Sequence, residues 1–393
     1  MRSIVHFLSA FGRPLHSLLL VFCIASGPSL TYAQSTWNWS QAIDKSGLER
    51  INDIAIDANG NIYAVGTYDH SSFLDLVPGP FGLASAAGST DAFLVKLGPA
   101  GNVLWRKRIG GSQADTGNGI TIAPNGNIYI TGGFKGNLSN GLLGSILSSL
   151  TATGNMDMYV ACFDTGGNML WIARAGSTDE DIGVSVASNA TGVFVYGKFR
   201  DQAEFGAFTL NPPNSGKDHL FLVKYPLGGG APEWVVYGVN GKDNVPGRMI
   251  ADDDGVFLTG SFKHNFLQWR THANISIANV NCSNNSENIH ITSITNAGLV
   301  NWHVAVDEPG SQSAGNAIAL ACDKVIFSGR VHDGALFPGN DTLEAFGDPH
   351  DMLFVASLDR GTGNTQWIRT ANGHDDHVNA GLDLHTGAND QIY

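Results

Sequence analysis

The residues best suited to chemistry in this sequence are two histidines that flank two aspartates in the segment GHDDH. His374, Asp375, Asp376 and His377 would offer two imidazoles and two carboxylates at close spacing, a donor set that suits a transition metal. The cluster stands in a single repeat, in a link between repeats, which favours a solvated loop over a metal centre. The segment ADDDG at 251–255 has the acids of a calcium loop without its spacing. We therefore predict no metal site and no bound cofactor.

A second set of acids recurs at the start of apolar strands such as DAFLVKL. Its members are Asp91, Asp157, Asp218 and Asp351, and Glu287 or Asn288 takes the place in the fourth repeat. Carboxylates that line a channel could serve as the acid pair of a glycosidase. A catalytic pair is asymmetric, however, whereas an aspartate that caps a turn by accepting backbone N–H bonds recurs with the fold. The even recurrence therefore predicts a structural role and no catalytic residue.

Tryptophan and glycine recur along the chain with one shared period. The tryptophans are Trp39, Trp105, Trp171, Trp234, Trp302 and Trp367, with successive gaps of 66, 66, 63, 68 and 65 residues. The glycines close segments such as GNIYAVG and GNIYITG, and they are Gly66, Gly132, Gly197, Gly260 and Gly329. A period of tens of residues predicts structural repeats that stack on one another.

Each repeat predicts four strands and hardly any helix. In the first repeat the strands are INDIAID, NIYAVGTY, DAFLVKL and VLWRKRI. The Asn-Gly and Gly-Asn pairs between them accept the positive φ of tight turns. A four-stranded meander is not stable alone, so its copies must stack face to face, and radial closure into a β-propeller buries both faces. The tryptophans would then pack between adjacent blades. A straight solenoid is the alternative, although its repeats are usually shorter.

The segments GNIYITGGF, DAFLVKLGPAGNVLWRKRIGG and DTGNGITIAPNGN resemble the bacterial SBBP repeat family, named for a seven-bladed β-propeller. The resemblance covers essentially all of the chain after its N-terminal segment and fades through the repeats of Trp234 and Trp302. It implies a secreted or surface propeller, often one module of a larger protein, without common catalytic residues. SLDRGTGNTQW at 357–367 more weakly resembles the Trp-docking repeats of quinoprotein dehydrogenases and of outer-membrane assembly scaffolds. Such an enzyme would need a cofactor cage, and the sequence has no adjacent cysteine pair and no consistent acidic ligand set.

The N-terminal residues predict export. They place Arg2 and Arg13 before a short apolar run and end in small residues, which is the pattern of a secretory signal peptide. We predict a signal peptide over 1–33, cleaved after Ala33, and propeller repeats over 34–393. No apolar stretch is long enough to predict a transmembrane helix. Phe22 argues against a lipid anchor at Cys23, because the attachment signal needs a small residue there.

Charge and cysteine content argue against a nucleic-acid-binding protein and against a disulfide scaffold. Removing 1–33 takes away two arginines and no acid, so the net charge moves from −13 to −15. Nucleic acid is an improbable partner, because phosphates demand a basic face. Cys162, Cys282 and Cys322 remain, and three cysteines allow at most one disulfide. The stability of the chain must therefore come from a buried core.

The last repeat predicts a fragment. NDQIY stops at Tyr393 inside the strand that elsewhere runs on to AVG or ITG, and an unpaired core strand would invite association. We expect five whole repeats and an incomplete closing repeat, which the strand around Trp39 helps to complete. The complete protein would then have six or seven blades.

The second-to-third strand connections run to about twenty residues in every repeat. Long loops on a rigid scaffold often bind ligands, although each could instead hold a small hairpin that caps the blade edge. Exposed aromatic residues such as Trp269 or Phe73 could stack on sugars, although we expect most of them to be core residues. We expect an exported, non-enzymatic bacterial propeller that presents these loops to a protein or a glycan at the cell surface. The alternative is a propeller enzyme, either a glycan hydrolase or lyase or a quinoprotein-like oxidoreductase.

Overall fold

The repeats fold into antiparallel β-sheets. The computed structural model describes residues 49–69, 89–138, 150–283, 285–308, 313–331, 335–339, 341–343, 352–371 and 383–384. These ranges contain no helix, and hence none that could span a bilayer. The chain divides into two compact parts, Met1–Arg174 and Ala175–Tyr393. Trp39, Phe73, Asp351 and the histidine cluster at 374–377 lie outside the described residues.

Two four-stranded sheets make up the described residues of the first part. Sheet 1 contains β1 (Glu49–Ile56), β2 (Ile62–Tyr68), β3 (Asp91–Leu97) and β4 (Val103–Ile109). Sheet 2 begins with β5 (Asp115–Ile122) and β6 (Ile128–Phe134), continues through a separate hairpin of β7 (Asn137–Leu138) and β8 (Leu150–Thr151), and is completed by β9 (Asp157–Phe163) and β10 (Met169–Ala175). The four main strands of each sheet are called A to D in chain order.

The second part repeats this plan three times, each time with a hairpin between strands B and C. Sheet 3 has β11 (Ile182–Asn189), β12 (Gly192–Phe199), the hairpin β13 (Ala203–Phe205) and β14 (Phe208–Leu210), β15 (His219–Tyr225) and β16 (Trp234–Val239). Sheet 4 has β17 (Asn244–Ala251), β18 (Gly255–Lys263), the hairpin β19 (Phe266–Thr271) and β20 (Ser276–Asn281), β21 (Glu287–Thr295) and β22 (Val300–Val306). Sheet 5 has β23 (Ala314–Ala321), β24 (Lys324–Val331), the hairpin β25 (Leu336–Phe337) and β26 (Asp341–Thr342), β27 (Met352–Asp359) and β28 (Thr365–Ala371).

The four strands predicted for the first repeat are confirmed, two of them residue for residue. The turns between them also follow the prediction. Gly60 joins strands A and B with a φ of 78°, and Gly101 joins strands C and D with a φ of 83°. Only glycine adopts this backbone without a steric penalty, so the local sequence determines where each strand ends.

The recurring glycine lies inside strand B, and a β-bulge explains it. In all five sheets, strand A has a register shift beside this position. The bulge brings a strand A carbonyl oxygen against the glycine, and a ring of strand C lies against it too. A Cβ on Gly132 would lie 1.8 Å from the oxygen of Thr116 and 3.0 Å from the ring of Tyr159. The same close approach to backbone oxygen and ring recurs at Gly66, Gly197, Gly260 and Gly329.

Neighbouring sheets stack face to face within each part. Sheets 1 and 2 share an apolar core around Ile120. Sheets 3 and 4 share a second core, which includes Leu222 and Leu258, and sheets 4 and 5 share a third, which includes Ile291 and Phe327. The predicted stacking is confirmed at these three junctions, and burial of apolar area there supplies the main stabilising free energy.

The hairpins of the long B–C connections pack against the sheets. The β13–β14 hairpin buries Phe205 and Leu210 completely, and the ring of Phe205 lies 4.9 Å from that of Phe221. The β19–β20 hairpin pairs with β16, the edge strand of sheet 3, and extends that sheet to six strands. Of the two roles that the sequence allows for these connections, edge capping is the one seen here, and it protects an edge that could otherwise pair with another chain.

Trp269 is a core residue. It lies on β19 and is fully buried, and its ring packs 6.2 Å from His290 and 6.5 Å from His303. The prediction of an exposed, sugar-stacking aromatic residue is therefore wrong at this position. The physical reason is that β19 joins the neighbouring sheet, a non-local pairing that turns the indole inwards.

Candidate functional site

The recurring tryptophans fasten one sheet to the next. At three junctions the indole N–H of strand D donates a hydrogen bond to a carbonyl oxygen in the C–D turn of the following sheet. The donors are Trp105, Trp234 and Trp302, and the acceptors are the oxygens of Thr165, Asn296 and Arg360, at 3.0, 2.9 and 2.9 Å. A glycine makes room for the ring, since a Cβ on Gly298 would lie 2.9 Å from Trp234. The predicted tryptophan column is confirmed at these junctions, and Trp171 and Trp367 occupy the same place on strand D of sheets 2 and 5.

We expect Trp234→Ala to destabilise the chain by about 2 kcal/mol and Trp234→Phe by about 1 kcal/mol. The alanine variant loses both the bond to Asn296 and the ring contact with Phe194, whose centroid lies 6.0 Å away. The phenylalanine variant loses only the N–H donor. Urea unfolding of the full chain measures both losses. Leu299→Ala is the control and should be nearly neutral, because Leu299 in the same turn is 62% exposed. Equal losses in the two tryptophan variants would contradict the role of ring packing.

The recurring aspartates at the start of strand C are ion-paired within their own sheets. The pairs are Asp91 with Arg108, Asp157 with Arg174, and Asp218 with Lys198 and Arg200. Asp157 also accepts the backbone N–H of Thr153 at 3.0 Å. In the fourth repeat Asn288 takes this place and accepts the N–H of Glu308 at 2.9 Å. These contacts fit the structural role predicted from the recurrence, because each carboxylate is already occupied by a partner.

A second recurring set stands at the start of strand A, and the sequence prediction missed it. The acceptors are Asp115, Asp181 and Asn244, bonded by the N–H of Gly111 at 2.7 Å, the hydroxyl of Ser177 at 2.7 Å and the amide of Asn240 at 2.8 Å. Burial raises the pKa of Asp115 to about 7. The backbone N–H bonds that Asp115 accepts lower this pKa, whereas the nearby Asp91 carboxylate raises it. An Asp or Asn four residues after a Gly, Ser or Asn in these three links is the signal that could have found this set.

The end of each sheet that carries the long B–C connection is called its loop end, and the opposite end, with the A–B and C–D turns, is called its turn end. At the loop end of sheet 3, the segment NPPNSGK at 211–217 is polar, largely exposed and fixed in place. The N–H of Gly216 donates to Asp201 at 2.7 Å. The amide of Asn214 donates to the oxygen of Asn240 at 3.0 Å, and the His219 ring bonds the Asn214 oxygen at 2.8 Å. The segment is thus a preformed polar surface.

An open groove of about 830 Å³ lies at the turn end of sheets 4 and 5. Phe257, Ser293 and Trp302 line it from the strands of sheet 4. Asp323 lines it from the turn between strands A and B of sheet 5, and Asp359 lines it from the end of β27. Hydrogen bonds from the side chain and backbone of Thr362 hold the pKa of Asp359 below its ordinary value, so this carboxylate is ionised at neutral pH.

Arg360 is the basic residue among the described residues that line the groove. Its guanidinium lies 2.5 Å from Asp252 and 3.0 Å from Asp254. It also lies 5.8 Å from the centre of the Phe257 ring, within the range of a cation–π contact. One arginine shared between two aspartates leaves the groove with a net negative charge, because Asp323 and Asp359 add to it.

The three cysteines at 162, 282 and 322 differ in burial, since Cys162 is buried and Cys322 is exposed. No disulfide joins Cys162, Cys282 and Cys322. Burial raises the pKa of Cys162 and of Cys282 to about 12, so neither is a reactive thiolate at neutral pH. Within the described ranges, no three His, Cys, Asp or Glu side chains are grouped to hold a metal ion.

Comparison with known proteins finds one match to a family model and two similar curated proteins. The family model for the SBBP beta-propeller repeat matches residues 104–132. The chain is 26% identical over 167 residues to an uncharacterized WD repeat-containing protein, L264 of Acanthamoeba polyphaga mimivirus, and this alignment covers 40% of the chain and 12% of that protein. It is 27% identical over 133 residues to the regulatory protein FlaEY of Caulobacter vibrioides, covering 33% of the chain and 13% of that protein. The chain thus spans about an eighth of the length of these curated relatives.

Among solved structures, BamB from Moraxella catarrhalis aligns with a TM-score of 0.31 and 11% identity, over 70% of this chain and 65% of that one. The match to the family model is the more informative finding. It runs from strand D of sheet 1 through strands A and B of sheet 2, and it contains Trp105 and Gly132. The described residues form four-stranded antiparallel β-propeller blades, whose number stays a prediction, and residues 104–132 match the family model of the SBBP beta-propeller repeat.

Proposed function

We propose that the chain is an exported, non-enzymatic β-propeller scaffold that binds a protein or a glycan at the cell surface through its loop ends. One observation carries the proposal. The segment 211–217 is exposed and polar, yet hydrogen bonds from Gly216 and Asn214 hold it in one arrangement. A preformed surface lowers the ordering cost of binding, and such loops on rigid scaffolds are where binding residues concentrate.

The recurring carboxylates support the non-enzymatic side of the proposal. A general acid or nucleophile must be able to reach substrate, whereas Asp91 and Asp157 are buried and paired with arginines of the same sheet. The competing reading is a propeller glycan hydrolase or lyase, and the binding experiment below distinguishes the two.

Export is proposed from the N-terminal sequence alone. We expect the full chain, expressed in a bacterial host with a C-terminal tag, to be recovered outside the cytoplasm and shortened by about 33 residues. A variant with Arg2 and Arg13 replaced by glutamate should stay in the cytoplasm at full length. Mass spectrometry of the recovered protein reads out both results, and an uncleaved cytoplasmic wild type would contradict export.

Binding is tested with the purified full chain on arrays of bacterial surface polysaccharides and surface proteins. Ser215→Trp places a bulky group in the exposed segment and should weaken binding at least tenfold. Leu299→Trp adds the same bulk at the turn end and should leave binding unchanged. Equal effects of the two variants would contradict the assignment of binding to the loop end. Release of new reducing sugar ends from a bound glycan would favour the enzyme.

A further inference from the structure

Lysine occupies one repeated position between sheets in two of the five sheets, and Cys162, Ser293 and Ser357 occupy it in the other three. The register across strands B, C and D places Tyr63, Lys96 and Trp105 in one row of sheet 1, and Phe194, Lys224 and Trp234 in the same row of sheet 3. Each ammonium group lies over the strand B ring, at 5.0 Å for Lys96 and 5.7 Å for Lys224. Each also donates to the turn oxygen that accepts the tryptophan N–H, at 3.2 and 3.3 Å.

Sheet 4 has the same row without its lysine. The row is Phe257, Ser293 and Trp302. Its two rings lie 5.9 Å apart, against 5.9 Å for the pair in sheet 1 and 6.0 Å for the pair in sheet 3. The turn oxygen is also present, since Arg360 accepts the Trp302 N–H. Serine is shorter than lysine by three heavy atoms at this point, and the groove of about 830 Å³ includes all of these residues.

We propose that this groove binds a lysine side chain of another polypeptide. The methylene stem would lie beside Ser293, against Phe257 and Trp302, as lysine stems do on apolar surface. The ammonium group would reach the Arg360 carbonyl oxygen and the Asp254 carboxylate. Lys224 shows the same pair of partners inside the chain, because it contacts the Asn296 oxygen and lies 2.9 Å from Glu233.

The charge of the groove favours a second cation even though the Arg360 guanidinium already lies 5.8 Å from the centre of the Phe257 ring. That guanidinium is shared between Asp252 and Asp254, and Asp254 keeps 80% of its side chain exposed. The partner is therefore a protein segment with an accessible lysine. The groove that would bind it lies at the turn end, on a different surface from the loop ends proposed above. Either assignment can fail without the other.

The test uses fluorescence anisotropy with the full chain and a labelled peptide of alternating glycine and lysine. We expect the lysine peptide to bind at least tenfold more tightly than matched peptides with norleucine or glutamate. Ser293→Lys supplies the missing side chain from within and should weaken binding at least tenfold. Ser293→Ala keeps the groove open and should bind as the wild type does.

A matched control separates groove filling from charge. Leu299→Lys adds the same charge at an exposed position outside the groove lining and should change binding less than twofold. Ser215→Trp, the loop-end variant, should bind the lysine peptide normally. The proposal is overturned by a folded Ser293→Lys protein that binds as tightly as the wild type, or by norleucine and lysine peptides that bind equally. Binding of spermidine without binding of the peptide would also overturn it.

Discussion

Gly197→Ala should abolish stable folding of the second part of the chain, at a cost of about 4 kcal/mol or more. A Cβ at this position would lie 2.0 Å from the oxygen of Ile182 and 2.8 Å from the ring of Phe221. The oxygen belongs to the backbone beside the strand A bulge, where the register shifts between Gly183 and Ser185. It cannot withdraw without breaking the pairing of β11 with β12, and a close-packed core has no space to absorb the shift. Circular dichroism during urea unfolding measures the loss.

Gly228→Ala is the control for this prediction. Gly228 lies in the C–D turn of the same sheet, where a Cβ would have no atom within 4 Å. We expect a change below about 0.5 kcal/mol there, as for most surface substitutions. If the two alanine variants were equally stable, the close approach of the bulge to Gly197 would not be the reason for the glycine.

The strands and the tryptophan column could be predicted because their signals are local and periodic. Alternation of apolar residues identifies a strand such as Asp91–Leu97, and the spacing of Trp105 and Trp234 identifies the equivalent strand of another repeat. The glycine period was equally visible, but its cause was not. A bulge beside Gly197 leaves no mark in the composition of strand A, so the reason for glycine appears only with the register of β11 and β12.

The groove and the hairpins depend on contacts between sheets, which sequence patterns do not encode. Ser293 is recognisable as the residue equivalent to Lys96 and Lys224 once the repeats are aligned through their glycines. Cys162 and Ser357 hold the same position in sheets 2 and 5. That Ser293 leaves an open groove depends on the Arg360 turn of the next sheet. Trp269 failed as a prediction for the same reason, since its strand pairs with a different repeat.

A buried polar network replaces apolar residues between sheets 3 and 4. Nε2 of His290 lies 3.1 Å from the hydroxyl of Tyr196. The hydroxyl of Thr292 lies 3.2 Å from His290 and 2.8 Å from His303. Burial lowers the pKa of His303 to about 4, against the raising effect of nearby backbone oxygens. Burial, together with neighbouring His303, lowers the pKa of His290 well below its ordinary value.

The wild type should therefore lose about 2 to 3 kcal/mol of unfolding free energy through His303 between pH 7.5 and pH 4.5, since one pKa unit corresponds to about 1.4 kcal/mol. Below pH 6.5 the unfolded histidine binds a proton that the folded one refuses until about pH 4. The contribution is thus complete above pH 6.5 and is lost as the pH falls. The triple variant His290→Phe/Thr292→Val/His303→Val copies the equivalent positions of sheet 3, which are Phe221, Val223 and Val235. It should lack this loss.

The comparison between the two proteins isolates the histidines, because Asp115 acts with the opposite sign. Its raised pKa stabilises the fold at low pH, and that contribution is lost as the pH rises towards about 7. We would measure urea unfolding of both proteins at pH 7.5 and pH 4.5 and take the difference between the two changes. His272→Asn, at an exposed histidine, should keep the acid sensitivity of the wild type. If the triple variant lost as much stability as the wild type, the prediction would be wrong. The buried histidines would then accept protons in the folded state without weakening the junction between sheets 3 and 4.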